Sequence, residues 1–366
     1  MIKVGITGAS GMIGLHLRSF LEMKSVPKVK IANRDTFKSK KEMIEFVYDL
    51  DVIIHLACQC RGDALIETNN KIDKFLTSAI DEALCKPHII FTSSTHIEIN
   101  KSSEYSKSKL ASSKYFNDWA ASNGIKFSNM IVPHVFGEFG KPFHNSVIST
   151  FSQQLANSKK IKLHEDKILE LIHAQKLSKF IYEAAINGIS GEIIIPGVQV
   201  KVSEVMSKLI LFDKNYREHI IPEFSNSFDL DLFNTYRSFF PSTHFPVLYD
   251  QFADDRGYLF EATKSLNSSQ CFVSTTKPGI TRGNHYHHEK IERFVVLKGK
   301  GKISLRRKYQ DEIVEYIVDG AFPSYVDIPT LHTHNIENVG DSEMLVLFWS
   351  HQLYDSSNPD TYVEEV

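Results

Sequence analysis

Short apolar runs alternate with amphipathic segments over about the first 240 residues of the chain. The runs at 2–7, 52–57 and 88–91 have the length and β-branched content of buried strands, and the segments between them carry apolar residues at helical spacing. Strands that alternate with helices form a parallel, doubly wound sheet whose ligands lie beyond the carboxyl ends of the strands. The pattern therefore predicts a Rossmann-type α/β domain over residues 1–244.

The pattern changes between Pro241 and Pro246, after which short strand-like runs are separated by turns. These runs lie at 258–262, 271–275, 294–297, 302–305, 312–318 and 344–349. Many short strands at regular spacing are typical of a small all-β barrel or jelly roll. We therefore place a domain boundary near residue 244 and predict an all-β domain over residues 245–366.

The composition indicates an ample core and no strong electrostatic bias. Hydrophobic residues make up 42% of the 366 residues, and the net charge of −2 gives no reason to expect a nucleic acid or a membrane as partner. The apolar runs are too short to span a bilayer, and a strand at the very N-terminus leaves no room for a signal peptide. The cysteines form no CxxC pair and indicate reduced thiols in the cytoplasm; they are Cys58, Cys60, Cys85 and Cys271.

A glycine-rich turn, GASGMIG at 8–14, joins the first predicted strand to the first predicted helix. Glycine lets the backbone approach a pyrophosphate closely, and a helix N-terminus presents free N–H groups and the positive end of its dipole. A glycine motif of this kind requires the context of strand, turn and helix that is found here. We predict that the turn binds a dinucleotide through Gly8, Ser10, Gly11, Met12, Ile13 and Gly14.

The second predicted strand ends at Asn33, Arg34 and Asp35. An acidic residue at this point commonly binds the ribose 2′-hydroxyl of NADH, whereas an arginine nearby accommodates the 2′-phosphate of NADPH. Arg34 therefore favours NADPH, while Asp35 leaves NADH open. An ordinary exposed arginine is the alternative interpretation of Arg34.

A serine and threonine cluster at 92–95 ends the fourth predicted strand, and Tyr105 and Lys109 follow one helical turn apart. An ammonium group beside a phenol favours the phenolate and lowers its pKa. Tyr105 can then deliver a proton to a ketone oxygen while a hydride arrives at the carbon, with the Ser94 hydroxyl holding that oxygen. We predict that Ser94, Tyr105 and Lys109 are catalytic, with Ser93 as the alternative to Ser94.

The glycine turn, the serine at the strand end and the YxxxK spacing together resemble the short-chain dehydrogenase/reductase family, in its extended branch that modifies sugar nucleotides. The resemblance covers about residues 1–240 and includes the segment from Asp51 to Ala57 and Asn69. It implies that Leu56, Ala57, Asn69 and Lys109 line the nicotinamide cofactor.

The segment 283–299, GNHYHHEKIERFVVLKG, has the pattern of a metal site. His285 and His287 are two residues apart and therefore face the same side of a strand, and a short turn returns Glu292 to the same point. His334 on a later strand supplies a fourth ligand. Three imidazoles and a carboxylate suit Zn, Fe, Mn, Cu or Ni. We predict a metal site here; surface histidines at a strand end are the alternative.

This spacing resembles the motif G…HxH(x)4E(x)6G of the cupin family, and His334 falls in the second motif, PxGxxHxxxN, with Leu331 at the glycine position. His332 is an additional imidazole that is either a surface residue, a base or a partner of a ligand. The run from Asp255 to Glu261 resembles the opening of cupin epimerases that act on deoxy-4-keto sugar nucleotides. In that resemblance Arg256 contacts phosphate, and a structural turn is the alternative.

The order of the two domains, the run at 279–288 and the ending at 359–362 resemble the bifunctional enzymes of capsular-polysaccharide and O-antigen synthesis. The resemblance implies a homodimeric zinc enzyme whose partner is a UDP-linked 4-keto deoxy amino sugar. Such an enzyme inverts C3 of a UDP-2-acetamido-2,6-dideoxy-4-hexulose in the cupin domain and then reduces C4 with NADPH, on the route to UDP-N-acetyl-L-fucosamine. The base that removes the C3 proton stays open between Lys277, His288 and His332.

Two other functions fit the same residues. In the first, the chain is a nucleotide-sugar reductase whose barrel is only a structural or oligomerising module with a structural metal. In the second, the barrel carries oxygen chemistry, because the same ligand set serves Fe(II) enzymes.

Overall fold

The computed structural model describes the chain except for the first methionine and short gaps between residues 251 and 268. The described residues are 2–250, 252–254, 257–259, 262–266 and 269–366. The residues Asp255, Arg256 and Glu261, which carry the resemblance to the cupin epimerases, lie outside them.

The first part of the chain alternates strands and helices, as the sequence predicts. In order they are β1 (Lys3–Thr7), α1 (Met12–Met23), β2 (Lys28–Ala32), α2 (Lys40–Val47), β3 (Val52–His55), α3 (Leu65–Glu82), β4 (His88–Thr92), α4 (His96–Ile99), α5 (Glu104–Asn123), β5 (Phe127–Ile131), β6 (His134–Phe136), α6 (Val147–Ala156), β7 (Ile168–His173), α7 (Ala174–Asn187), β8 (Gly191–Ile194), β9 (Val198–Lys201), α8 (Val202–Arg217), β10 (Ile220–Ile221) and α9 (Ser227–Arg237).

Strands dominate the remainder. They are β11 (Val247–Leu248), β12 (Phe252–Asp254), β13 (Gly257–Leu259), β14 (Lys264–Ser265), β15 (Gln270–Thr276), β16 (Thr281–Tyr286), β17 (Glu292–Lys298), β18 (Lys300–Arg307), β19 (Ile313–Asp319), β20 (Ser324–Ile328), β21 (His332–Asn338), β22 (Met344–Ser350) and β23 (Tyr362–Val363).

The chain divides into two compact units, and each is made of two stretches of sequence. The first unit takes Met1–Gly140 and Lys167–Lys201, and the second takes Lys141–Asp166 and Val202–Val366. The second unit therefore contains α6, α8 and α9 as well as the later strands. The functional boundary near residue 244 is a different division, and it stays a prediction.

The first unit is built on a parallel six-stranded sheet in the order β2-β1-β3-β4-β5-β8. Neighbouring residues of its strands point to opposite faces, so that Ile54 packs into one apolar core with α1 and α7, whereas Ile53 packs into a second core with α2, α3 and α5. A parallel sheet covered on both faces requires such continuous apolar strands. The predicted Rossmann-type sheet is thereby confirmed.

The helix α5 begins and ends where its terminal residues dictate. Ser103 caps its N-terminus by accepting a hydrogen bond from the Ser106 N–H, and Gly124 ends it with φ of +63°. Serine at the N-terminus and glycine after the C-terminus commonly cap helices, because they help to satisfy the backbone N–H and C=O groups of the terminal turns. The first turn of this helix carries Tyr105, and Lys109 lies one turn later.

The later strands form two antiparallel five-stranded sheets, β11-β20-β17-β22-β15 and β19-β18-β21-β16-β23. Side chains from both sheets, such as Phe294, Ile303 and Ile336, share one buried core, so the sheets pack face to face. This arrangement confirms the all-β character predicted for the C-terminal part.

A buried ion pair between β17 and β20 accepts a hydrogen bond from α8 within the second unit. The Arg293 guanidinium donates to both carboxylate oxygens of Asp327 at 2.7 and 3.0 Å, and the Tyr216 hydroxyl donates to the same carboxylate at 2.7 Å. Each of the three side chains is nearly inaccessible to solvent. Because a buried charge without its partner is costly, these bonds hold α8 firmly against the sheet.

A bilayer-crossing helix needs about 20 apolar residues. Among the described residues, no helix combines the length and the apolar character that crossing would require.

Candidate functional site

The glycine turn lies at the carboxyl end of β1 and leads directly into α1. Gly8 has φ of +70°, and a Cβ at this position would lie 2.7 Å from the Ala57 backbone nitrogen. A Cβ at Gly14 would lie 2.5 Å from the Gly8 carbonyl oxygen. Glycine is therefore needed at both positions for steric reasons, and the predicted residues 8–14 bring an exposed helix N-terminus to the edge of the sheet.

The loop after β3 lies beside this turn. Its Ala57 N–H donates to the Thr7 hydroxyl at 3.2 Å, and Thr7 in turn contacts His55 Nδ1 at 2.8 Å. His55 Nε2 lies 3.1 Å from the buried Asp73 carboxylate. Because Asp73 fixes the His55 tautomer, this buried chain holds the Ala57 backbone against the glycine turn. The predicted cofactor residues Leu56 and Ala57 are thus brought together with residues 8–14.

Asn69 supports the same loop from helix α3. Its side chain accepts from the Gln59 N–H at 2.7 Å, donates to the Gln59 carbonyl at 3.0 Å and donates to the Ser108 hydroxyl at 2.8 Å. Both the oxygen and the nitrogen of the Asn69 amide therefore bond to the loop. The predicted contact of Asn69 with the cofactor stays a prediction.

Arg34 is exposed just beyond the end of β2, on the same edge of the sheet. Its neighbour Asp35 forms an ion pair with Lys38 at 2.7 Å, which lowers the pKa of the Asp35 carboxyl. The Asn33 side chain accepts the N–H groups of Asp35 and Thr36 and closes the turn. Arg34 is available to a 2′-phosphate, and the choice of NADPH over NADH stays a prediction.

Ser94, Tyr105 and Lys109 come together at the end of β4. The Ser94 hydroxyl lies close enough to the Tyr105 hydroxyl to favour its ionised form, and the Lys109 ammonium donates to the Thr92 carbonyl at 2.8 Å. The alternative Ser93 has a buried hydroxyl with no hydrogen-bond partner among the described residues. The geometry therefore favours Ser94 over Ser93 as the serine that acts with Tyr105.

Burial governs the acidity of this group. It raises the pKa of Tyr105 above its ordinary value, although the Lys109 ammonium and the Ser94 hydroxyl act in the opposite direction. The lowered pKa of Tyr105 expected from the sequence is thus wrong, because desolvation of the phenolate outweighs the attraction of Lys109. Burial also opposes the charge of Lys109, but Cys58 and Tyr105 hold its pKa above the ordinary value, so it stays an ammonium.

His96, which the sequence analysis did not assign, lies next to Tyr105, and His134 lies next to His96. The His96 ring packs edge-on against the Tyr105 ring with centroids 6.4 Å apart, and His96 Nε2 lies 3.2 Å from His134 Nδ1. Burial lowers the pKa of His96, so it is neutral at neutral pH. His96 follows the serine and threonine cluster directly, and His134 is the first residue of β6. No pattern in the sequence marks either histidine as functional.

The predicted metal ligands His285, His287, Glu292 and His334 form one cluster in the second unit. One ligand atom from each lies within 4.8 Å of those from the others. Glu292 Oε2 is 2.9 Å from His287 Nε2 and 3.6 Å from His334 Nε2, and His285 pairs with His334 in the register of β16 and β21. The predicted hairpin geometry thus brings all four together.

The tautomers of two of these histidines indicate what the cluster can hold. His287 Nδ1 donates to the Asp360 carbonyl, and His334 Nδ1 donates to the His332 carbonyl at 3.1 Å. Both Nε2 atoms therefore direct lone pairs towards the Glu292 carboxylate, which also accepts only. His334 Nε2 is buried without a hydrogen-bond partner among the described residues. Lone pairs that face one another in a buried site fit a bound cation, and the N3O donor set fits a divalent transition metal.

The protonation states fit the same interpretation. Burial raises the pKa of the Glu292 carboxyl, but the adjacent rings of His287 and His334 outweigh this effect and hold the pKa well below its ordinary value. Burial and the neighbouring imidazoles lower the pKa of His285 to about 4. An ionised carboxylate and neutral imidazoles are the forms that bind metal.

Asp360 supports the cluster and was not assigned from the sequence. Its carboxylate accepts three consecutive N–H groups, from His288 at 2.9 Å, Glu289 at 2.9 Å and Lys290 at 2.7 Å. Its carbonyl accepts from His287 Nδ1. One residue therefore fixes both the turn between the ligands and the orientation of one ligand, a common role for residues behind metal ligands. The ending at 359–362 was noted in the sequence, but its contact with the cluster depends on the fold.

A second cluster, His16, Glu138 and His173 in the first unit, has metal-ligating residue types but a different bonding pattern. The Gln175 N–H donates to His173 Nδ1 at 3.3 Å, so His173 Nε2 carries the proton that it donates to Glu138 at 3.0 Å. His16 Nε2 similarly donates to the Glu138 carbonyl at 3.1 Å. Because these nitrogens use their protons in hydrogen bonds, the cluster fits a structural network.

Comparisons with known proteins find two family models that match separate stretches of the chain. The model of the NAD dependent epimerase/dehydratase family matches residues 4–195, and that of the polysaccharide biosynthesis C-terminal domain matches residues 252–362. The crystal structure of the capsular polysaccharide assembling protein CapF from Staphylococcus aureus is 33% identical, with a TM-score of 0.62 and full coverage of both chains.

Two curated relatives match different shares of the chain. The UDP-2-acetamido-2,6-beta-L-arabino-hexul-4-ose reductase of Pseudomonas aeruginosa is 27% identical over 99% of this chain and 98% of the relative. The probable low-salt glycan biosynthesis epimerase Agl13 of Haloferax volcanii is 28% identical over 30% of this chain and 77% of the relative. The chain belongs to the NAD dependent epimerase/dehydratase family, and it resembles CapF along its whole length.

Proposed function

We propose that this protein is a bifunctional nucleotide-sugar enzyme of capsular-polysaccharide or O-antigen synthesis. It first inverts C3 of a UDP-2-acetamido-2,6-dideoxy-4-hexulose and then reduces its C4 ketone with NADPH, on the route to UDP-N-acetyl-L-fucosamine. The Pseudomonas relative is named for the reduction of a UDP-linked 4-hexulose, and that name supports the substrate class for this chain. The main support for the proposal is that one chain contains two candidate sites. One consists of Ser94, Tyr105 and Lys109, and the other is a cluster of four possible metal ligands.

The reduction rests on the first unit. The glycine turn at 8–14 and the loop around Ala57 hold the nicotinamide cofactor, which when bound supplies the hydride for C4. The Tyr105 hydroxyl donates its proton to the ketone oxygen, and the Ser94 hydroxyl hydrogen bonds to the same oxygen. The Lys109 ammonium stabilises the phenolate that Tyr105 becomes, which offsets the effect of burial on its pKa.

The epimerisation rests on the second unit, whose two sheets we propose to be a cupin. His285, His287, Glu292 and His334 would hold a divalent ion, zinc being the first candidate, which when bound draws electron density from the ketone oxygen. Leu331 supports the cupin assignment, because it stands at the glycine position of the second motif and adopts φ of +57°, a conformation that glycine favours.

The order of the two steps follows from the chemistry of the substrate. A proton on C3 is acidic only while C4 is a ketone, because the ketone accepts the charge left by its removal. Reduction of C4 to an alcohol ends this route. If both centres act on one substrate, inversion at C3 must therefore precede reduction at C4.

Several further assignments belong to the same proposal. The functional domains divide near residue 244, with 1–244 binding the cofactor and 245–366 binding the metal. The protein acts in the cytoplasm as a homodimer, as the resemblance implies. The base that removes the C3 proton stays open between Lys277, His288 and His332.

Exchange of the C3 proton with deuterated water, in the absence of NADPH, tests the epimerase half separately. We expect deuterium at C3 of the 4-keto substrate with the wild type and with Tyr105→Phe, and none with His287→Gln. Reduction is expected to be lost in Tyr105→Phe only, when His287→Gln is given a substrate already inverted at C3. Exchange that survives loss of the metal ligands would contradict the proposal and leave a reductase with a structural β unit.

A further inference from the structure

Two cysteines, Cys58 and Cys60, lie in the loop that follows the predicted cofactor residues Leu56 and Ala57. Both thiols are only partly buried, and their sulfur atoms are 3.6 Å apart. A disulfide bond is about 2.05 Å long, so closing it requires an approach of about 1.5 Å.

The backbone between the two thiols is fixed from one side. Asn69 accepts from the N–H of Gln59 and donates to its carbonyl, and Ser108 holds Asn69 in place. The loop therefore presents the two sulfur atoms to each other in the folded protein, so that little chain entropy opposes their reaction.

The two thiols differ in reactivity. Cys58 is hydrogen bonded to Cys60 and lies near the Lys109 ammonium, and both lower the pKa of Cys58 to about 5, with the bond to Cys60 as the larger cause. The same bond raises the pKa of Cys60, so it keeps its proton. The thiolate is the nucleophilic form of cysteine. In contrast, burial raises the pKa of both Cys85 and Cys271.

We propose that Cys58 and Cys60 are a modification site at which a peroxide closes a reversible disulfide and thereby blocks the cofactor cleft. The Cys58 sulfur attacks a peroxide oxygen, the O–O bond breaks, and a sulfenic acid forms while the leaving oxygen takes up a proton as an alcohol or water. The Cys60 sulfur then attacks the Cys58 sulfur, and hydroxide leaves with the Cys60 proton as water. The two thiols lose two electrons and the peroxide gains them.

The expected consequence for the cofactor follows from the position of the loop. Ala57 is bonded to Thr7, and its backbone lies against Gly8 with no room for even one added carbon atom. Closing the disulfide moves the loop beside this turn and removes the thiolate from Lys109. The effect on NADPH rests on the proposed function, whereas the oxidation itself does not.

Trypsin separates the pair from the other cysteines, because the fragment 42–61 contains Cys58 and Cys60 and no further cysteine. After hydrogen peroxide treatment we expect this fragment to lose two hydrogen atoms in mass and to regain them with dithiothreitol. Cys60→Ser should stop at the sulfenic acid, which dimedone traps on Cys58. Cys271→Ser, the matched control, should form the disulfide as the wild type does.

Binding of NADPH, followed by its fluorescence, measures the functional part in the same samples. We expect oxidation to weaken binding by about tenfold or more and reductant to restore it, with no such change in Cys60→Ser. The proposal is overturned if fragment 42–61 keeps both thiols while Cys271 is oxidised, or if the disulfide forms and NADPH binding is unchanged. A reduced protein that does not bind NADPH would instead defeat the proposed function, and the fragment mass would still decide the thiol chemistry.

Discussion

At the residue scale, the proposed reduction depends on the side chain of Tyr105. Its hydroxyl contacts Ser94, and burial holds its pKa above the ordinary value, so it carries its proton at neutral pH and can donate it. We expect Tyr105→Phe to lower the rate of C4 reduction by about 10²–10⁴-fold, as is usual for loss of a general acid, and to leave NADPH affinity within about threefold. Steady-state oxidation of NADPH and a fluorescence titration measure the two quantities. Equal reduction rates would show that another group supplies the proton.

Substitution of Asp360 tests whether a residue that is not itself a ligand affects the proposed binding of metal. Loss of its carboxylate frees three backbone N–H groups and loosens the carbonyl that orients His287. We expect Asp360→Ala to weaken zinc binding by about 10–100-fold in a competition titration with a chelator. Asp355→Ala is the matched control, because this aspartate lies nearby in the chain and bonds only exposed groups around Ser357. Equal zinc affinities in all three proteins would contradict this role.

We expect the buried side chain of His88 to make the free energy of unfolding depend on pH. Its Nε2–H donates to the Ser128 hydroxyl at 2.6 Å, while its buried Nδ1 has no partner in the described part of the chain. Burial, with a smaller effect of Lys126, lowers its pKa to about 4. The unfolded chain therefore takes up the proton first, and stability falls as the pH drops from about 6.5 to 4.

The expected size of this effect is about 2 kcal/mol between pH 7 and pH 5. Urea titrations should show that the wild type loses this much more unfolding free energy than His88→Asn over the same interval. The exposed His144→Asn should behave as the wild type does. A pH dependence that is the same in wild type and His88→Asn would show that His88 is not buried in its neutral form.

At the element scale, the turn between β1 and α1 depends on two separate properties of Gly8. Its φ of +70° strains any other residue, and an added Cβ meets the Ala57 backbone at 2.7 Å. We expect Gly8→Ala to weaken NADPH binding by about tenfold or more. Gly191→Ala is the matched control, because Gly191 also has a positive φ, of +95°, but no atom lies within 4 Å of its added Cβ. Equal NADPH binding in both variants would mean that the close approach does not shape the site.

Local patterns were sufficient to predict the elements that carry the sites. His285 and His287 are two residues apart on a strand, and Tyr105 and Lys109 are four apart on a helix. Each spacing predicts that the two side chains share a face. The contact between Asp360 and His287 was out of reach of such patterns, because it joins residues 73 apart in sequence. The predicted direction of the Tyr105 pKa shift was wrong for a similar reason. The sequence shows the charge of Lys109, whereas the burial of Tyr105 depends on the packed fold.

At the scale of the whole molecule, one chain holds two groups of polar side chains, one in each compact unit, to which we assign the two proposed reactions. The parallel sheet places the ends of β1, β3 and β4 side by side, and the antiparallel sheets bring β16, β17 and β21 to one cluster. Helices α8 and α9 belong to the second compact unit, although the sequence pattern groups them with the helices before them. Long-range pairing decides that grouping, for example the bond between Tyr216 and Asp327.

The central claim is that C3 is inverted before C4 is reduced by the same protein. The most direct measurement is the position of deuterium in the product when the wild-type protein, zinc, NADPH and the 4-keto substrate react in deuterated water. We expect one deuterium at C3 of essentially every inverted product molecule, and no inverted product after the zinc has been removed with a chelator. An inverted product that keeps ordinary hydrogen at C3, or one that forms equally well without zinc, would contradict the account.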